Sequence, residues 1–202
     1  MKKKLAYFAL PFFLFFVFSF LAINWSNISW IFDWKVINRI SEEIFIPSEK
    51  EELGENASGE ENYLIIPSLD VEAPLRTPEI GDDALLIAEL DLGVVHYPYS
   101  VKPGEQGKVV ILGHSAPDGY PDIKFDRIFS RLGYLEKGDE ARIYYNERLF
   151  VYIIDEVRTM SIEEYNQYLL QPTQEYLLII STCYPPGQNW QRWVARASLL
   201  TK

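Results

Sequence analysis

Tyr176-Leu177-Leu178-Ile179-Ile180-Ser181-Thr182-Cys183 is an apolar run closing on two hydroxyl residues and a thiol, and Tyr184-Pro185-Pro186-Gly187 follows at once. Continuous apolar residues bounded by turn signals read as a strand buried on both faces. The prolines and glycine force the chain out of the sheet, so Cys183 stands at the carboxyl end of a strand beside a loop. A run of the same kind, Lys108-Val109-Val110-Ile111-Leu112, ends in Gly113-His114-Ser115. Two buried strands that each end on a chemically capable side chain set the frame for the rest.

Working outward, Tyr63 to Pro67 and Val71 to Leu75 are short β-type runs split by Ser68-Leu69-Asp70. Ala141 to Tyr145 and Leu149 to Asp155 flank Asn146-Glu147-Arg148, a hairpin pattern. Trp193 to Leu200 is the last strand. Short helices are expected at Asp82 to Leu90, where the aspartate can cap, and at Ser161 to Leu170, which Pro172 stops. Asp122 to Leu132 reads as a helical turn or two. Seven or eight short strands, few helices and no internal repeat predict a mainly β fold, a closed or nearly closed mixed barrel. Periodicity does not give its strand order.

The amino terminus has another character. Met1 to Lys4 carry three lysines, and Leu5 to Ile23 are nineteen residues without a charge. At about 1.5 Å per residue they reach roughly 28 Å, the thickness of a bilayer's hydrocarbon. Pro11 and Ser19 are tolerable in such a helix. The lysines orient it with residues 1–4 cytoplasmic and everything after Ile23 outside, and Trp25, Trp30 and Trp34 suit an interfacial belt. The run exceeds a usual signal-peptide core, and Ala22-Ile23-Asn24-Trp25-Ser26 is a poor cleavage site, so a retained single-pass anchor in the cell membrane is expected. Residues 24–61 hold nine acids against three bases, a net of −6, and read as an aromatic then acidic spacer. Asn27-Ile28-Ser29 and Asn56-Ala57-Ser58 match the glycosylation tripeptide only weakly. Residues 62–202 form the extracellular domain.

Composition narrows the function. The chain has 202 residues and a formal charge of −10, with no basic run beyond the first four residues, which disfavours nucleic-acid binding. One cysteine excludes an internal disulfide framework and a Cys-rich zinc site, and two histidines leave little room for a histidine metal centre. A lone cysteine is most often a small buried hydrophobe. At a strand end outside the membrane, however, an unpaired thiol is a candidate nucleophile. Its thiolate needs a neighbouring cation. His114 occupies a place analogous to that of Cys183, while His96, in Val95-His96-Tyr97-Pro98, reads as a hydrogen-bonded structural residue. Arg192, nine residues past the cysteine, can hold an oxyanion or substrate carbonyl, with Arg196 as its rival. Glu105, Asp122 and Glu164 are conceivable calcium ligands, but scattered carboxylates on an acidic chain are usually solvated; no cofactor is expected.

These residues carry a resemblance. Ile179-Ile180-Ser181-Thr182-Cys183 followed by Arg192-Trp193-Val194-Ala195-Arg196-Ala197 resembles the sortase signature, Thr-Leu-x-Thr-Cys followed by Arg and a Val-rich strand. His96-Tyr97-Pro98, Pro103-Gly104-Glu105-Gln106-Gly107, Ile111-Leu112-Gly113-His114-Ser115 and Phe125-Asp126-Arg127-Ile128-Phe129 with Leu135-Glu136-Lys137-Gly138-Asp139 are similar to further stretches of that family. The likeness spans about residues 63–200, and Ile179 stands where the family usually has Thr.

The resemblance implies an eight-stranded sortase-type barrel, with Cys183 as nucleophile, His114 as general acid/base and Arg192 as transition-state stabiliser. It further implies Thr182 and Ser115 on the substrate side. The implied reaction is transpeptidation: cleavage of a Leu-Pro-x-Thr-Gly-like sorting motif in a surface protein, then transfer to an amine such as that of a peptidoglycan precursor or a pilin lysine. Thr182-Cys183-Tyr184-Pro185 looks like class D and E members. The short segment between Val157 and Tyr176 and the lack of an Asp-Pro-aromatic motif in residues 24–61 point away from pilin polymerisation. A cysteine hydrolase and a non-catalytic wall- or protein-binding barrel are the rival readings. The Ser-His-Gly-Cys-type stretch of an L,D-transpeptidase is missing.

Overall fold

The structure, a computed structural model, describes residues 2–24, 62–121 and 123–200, with side chains from Pro11 onward. The tryptophan belt, the acidic spacer, both glycosylation tripeptides and Asp122 lie outside the described residues. Helix α1 spans Lys2–Ile23 with Pro11 inside it. It belongs to a compact unit separate from the strands. Its phenylalanines from Phe12 to Phe20 face outward, Phe12 and Phe18 being 72% and 71% exposed. Among the described residues no helix is long and apolar enough to cross a membrane.

The second unit is a closed eight-stranded barrel. Its strands are β1 (Tyr63–Ile66), β2 (Val71–Arg76), β3 (Val94–His96), β4 (Gly107–Leu112), β5 (Glu140–Tyr145), β6 (Arg148–Ser161), β7 (Tyr176–Tyr184) and β8 (Gln191–Leu199). Around the barrel they run β1-β2-β3-β4-β7-β8-β6-β5. β5 closes the ring by pairing antiparallel with β1. Two neighbours are parallel, β2 with β3 and β4 with β7. Helices α2 (Asp83–Leu90) and α3 (Ile162–Leu170) decorate it, and 3-10 turns occupy Pro67–Leu69 and Leu132–Tyr134.

The apolar runs are continuous because β4 and β7 are covered on both faces. Leu178 and Ile180 of β7 and Val109 and Ile111 of β4 pack inside the barrel with Phe129, Tyr152 and Ile154. The alternate residues Leu177, Ile179 and Val110 pack outside with Met160, Tyr165 and Val194. Strand residues two apart share a face, so both halves of each run escape water. Helix α3 supplies the outer cover through Tyr165, whose hydroxyl lies 2.7 Å from Ser181 Oγ. Burying one such large side chain is worth about 1.5–3 kcal/mol.

Local chemistry sets the helix starts. Asp82 accepts from the N–H groups of Ala84 and Leu85, both at 3.1 Å. Ser161 accepts from Glu164 N–H at 3.1 Å. The hairpin between β5 and β6 is tighter than expected: Tyr145 pairs with Arg148, leaving Asn146 and Glu147 as a two-residue turn with φ of 48° and 62°. Positive φ at both positions suits the twist of a hairpin.

Three expectations are corrected, and one strand was not foreseen. The stretch expected as a helical turn or two up to Leu132 is a series of turns through Arg131, with the 3-10 turn starting at Leu132. β6 continues past Asp155 to Ser161 because a bulge between Ile154 and Glu156 resets its alternation. β3 is a three-residue strand too short to show a period. β8 begins at Gln191 rather than Trp193, which draws Arg192 into the sheet.

Candidate active site

Three strand ends meet on one face. On β7 the residues alternate, with Thr182 buried inward and Cys183 half-buried on the outer side. β8 runs antiparallel to β7, and its register sets Arg192 directly opposite Cys183. Directly opposed residues share a face, with β-carbons about 4.5–5.5 Å apart. Arg196 pairs with Ile179, four residues further along, or about 13 Å at strand rise. Its Nε lies 3.7 Å from Asp155 Oδ2 instead.

β4 brings His114 from the other side. Its parallel register with β7 ends at Leu112 opposite Ser181, and Gly113 N–H continues it to the Ser181 carbonyl at 3.3 Å. Two more bonds tie the strand ends together. Thr182 Oγ1 donates to the Gly113 carbonyl at 2.8 Å, and Ser115 Oγ donates to the Cys183 carbonyl at 2.7 Å. Thr182 and Ser115 thus each commit a hydroxyl to a backbone carbonyl and fasten the Gly113–Ser115 segment beside Cys183. Thr182 is 3% exposed, so its side chain is almost wholly buried. The His114 carbonyl accepts from Phe129 N–H at 2.9 Å. Gly113 has to be glycine because a Cβ there would sit 2.3 Å from the Phe129 ring.

Side chains that sequence reasoning missed complete the site. Asn189 lies in the loop between β7 and β8; its Oδ1 accepts from Arg192 Nη1 and lies 3.9 Å from Cys183 Sγ. Arg192 Nη1 also donates to the Gln191 carbonyl at 3.1 Å. Asp91, which follows α2, places Oδ1 3.7 Å from His114 Nε2. Asp126 joins them: one atom from each of Asp91, His114 and Asp126 lies within 4.8 Å of the others. No local signal distinguishes these residues, since their chemistry arises from folding. Burial pushes the Tyr165 phenol upward, opposed by the Ser181 hydrogen bond and by the charge of Arg192.

The remaining candidates lie elsewhere. His96 is 7% exposed, with Nε2 2.9 Å from the Val101 carbonyl and 3.1 Å from Ser100 Oγ. Burial holds it below its ordinary 6.5. Glu105 accepts from Lys102 N–H at 3.0 Å, and Glu164 pairs with Arg158 at 2.8 Å, so these two carboxylates do not converge.

A thiol paired across the strands with a guanidinium, beside a strand end that carries an imidazole, is equipped for acyl transfer. Comparison with known proteins agrees with this chemistry. The chain is 35% identical over 138 residues to sortase D of Bacillus subtilis (strain 168), covering 68% of this chain and 59% of that protein. The chain therefore spans well under two thirds of that relative's length. The fold is similar to sortase C-1 from Actinomyces oris, with a TM-score of 0.57 and 21% identity over 70% of this chain and 74% of that one. It is similar also to a Clostridium perfringens sortase D5 transpeptidase, with a TM-score of 0.56 and 22% identity over 70% and 79%. The sortase-domain family pattern matches residues 64–200, most of the chain, and the protein belongs to the sortase family.

Proposed function

We propose that the protein is a membrane-anchored cysteine transpeptidase of class D type that joins surface proteins to an amine outside the cell. The Cys183 thiolate attacks the threonine carbonyl carbon of a Leu-Pro-x-Thr-Gly-like motif, and Arg192 stabilises the oxyanion. The C–N bond breaks as protonated His114 delivers its proton to the leaving glycine nitrogen, leaving a thioester on Cys183. An incoming amine, from a peptidoglycan precursor or a pilin, gives a proton to His114 and attacks the thioester, which releases the thiolate. The single observation that supports this most is the cross-strand pairing of Cys183 with Arg192 beside the end of β4. The name of the Bacillus subtilis relative favours class D.

In this reading the uncharged run Leu5 to Ile23 is the anchor, on the strength of its sequence alone, and residues 62–202 lie outside the cell. Substrates held in the same membrane then meet the enzyme at high effective concentration. The test is Cys183→Ala, with a sorting-peptide library and added amines as substrates. The parent is expected to yield amine adducts and the variant none. Water-resolved products alone point to a hydrolase, and equal product from both proteins ends the proposal.

A further inference from the structure

Beside His114 the barrel gathers two carboxylates that the mechanism above does not use. Asp91 comes from the carboxyl end of α2, Asp126 from the turns before Leu132, and His114 from the end of β4. Asp91 Oδ1 is 3.7 Å from His114 Nε2, and all three groups offer atoms within 4.8 Å of one another. Among the described residues no other three His, Cys, Asp or Glu side chains converge in this way. Asp126 is 6% exposed, and the His114 and Asp91 side chains are 31% and 23% exposed. The bond from Phe129 N–H to the His114 carbonyl fastens the segment carrying Asp126 to the imidazole's own backbone.

A carboxylate withdrawn from water is costly unless it faces a positive group or donors. Imidazolium is such a group, and nearby negative charge favours it over the neutral ring. The other titratable or charged groups of these elements include Cys183 and Tyr184 on β7, Arg192 on β8, Glu89 on α2, and Lys124 and Arg127 beside Asp126. Without perturbation the thiol titrates at about 8.5 and the imidazole at about 6.5, so the thiolate–imidazolium pair is only about one part in a hundred of the neutral pair. Each tenfold gain in the ring's proton affinity raises that share tenfold.

We infer that Asp91 and Asp126 are positioning residues that hold the His114 ring and keep it protonated, so that thiolate and imidazolium coexist near neutrality. The inference rests on the roles proposed for Cys183 and His114. An opposite charge at about 4–6 Å supplies a factor of ten or more in proton affinity.

The chain has only two histidines, so the His114 ring resonances are read against those of His96 alone. The full chain carrying Cys183→Ala, in detergent micelles, is titrated by NMR alone and with Asp91→Asn, Asp126→Asn or Asp126→Glu. Each Asn variant is expected to lower the His114 midpoint by about one pH unit. The Glu variant keeps it, and His96 does not move. In enzymes retaining Cys183, each Asn substitution lowers kcat/KM about tenfold and moves the acid limb of its pH profile down by the same step. A His114 midpoint unmoved in Asp91→Asn and Asp126→Asn overturns the inference; should Asp126→Asn fail to fold, Asp91→Asn decides. A parent midpoint that changes on adding EDTA also overturns it, since the trio is then a metal site. The titration uses no substrate. A carboxylate-dependent ring in a protein without turnover therefore counts against the transpeptidase reading and not against this one.

Discussion

Substituting Gly113 and Gly81 separately by alanine gives nearly the same initial overlap and, by the packing of the barrel, opposite outcomes. At Gly113 the new Cβ meets Phe129 Cδ2 at 2.3 Å and Cε2 at 2.5 Å, and Ile128 Cγ2 at 3.1 Å. At Gly81 it meets Tyr99 Cε2 at 2.4 Å. Carbons settle at about 3.5–4.0 Å, so each clash demands a shift of more than about 1 Å. Tyr99 is 70% exposed and can swing into solvent, whereas Phe129 is 0% exposed and sits in the core. Overpacking of a filled interior costs about 1–3 kcal/mol, against about 0.4–1 kcal/mol gained when glycine's freedom in the unfolded chain is lost. Gly113→Ala is therefore expected to destabilise, and Gly81→Ala to be neutral or mildly stabilising. The strain at Gly113 also falls on the backbone of His114, and a misplacement of about 1 Å in a reacting group costs about 100-fold in turnover. Urea unfolding followed by tryptophan fluorescence measures the first effect, and peptide turnover the second. Adding Phe129→Leu to Gly113→Ala should recover part of the loss, with a coupling of about 0.5–3 kcal/mol. Equal unfolding midpoints for Gly113→Ala and the parent would refute the reasoning, because the Phe129 ring would then have room to yield.

Two further outcomes follow from the register and from burial. Arg192→Ala is expected to lower turnover of a sorting peptide about 10²–10³-fold, the range for losing an oxyanion donor, while Arg196→Ala stays near the parent rate. The reverse ranking in steady-state assays would reassign the guanidinium. His96 binds its proton less readily folded than unfolded, so stability is lost as pH falls from the ordinary 6.5 toward its lower folded value. Urea midpoints at successive pH values should fall through that window in the parent and less in His96→Gln.

Much of the barrel was legible because burial on both faces leaves a plain record. The runs at Val109 and Leu178 need no alternation to be recognised, and the caps Asp82 and Ser161 announce their helices. The misses have physical causes. Val94–His96 is shorter than any period, and the bulge after Ile154 hides the continuity of β6. The parallel pairing of β4 with β7 joins segments almost seventy residues apart, which no local pattern encodes. At the site, Cys183, His114 and Arg192 stood out because thiol, imidazole and guanidinium are scarce or sit at strand ends. Asn189, Asp91 and Asp126 did not. An asparagine after Pro-Pro-Gly reads as turn chemistry, and two aspartates in an acidic chain read as solvated surface until the fold sets them against an imidazole.

That same union of β4 with β7 has a kinetic corollary. Pairings between distant segments close late, because the intervening loop must be ordered before any contact compensates it. Hairpins such as the one at Asn146 are local and free of that delay. The sulfur and the ring therefore remain strangers through the early stages of folding. On the chemistry proposed for it, a nascent chain stays silent and becomes reactive only when the barrel's middle seam is sewn.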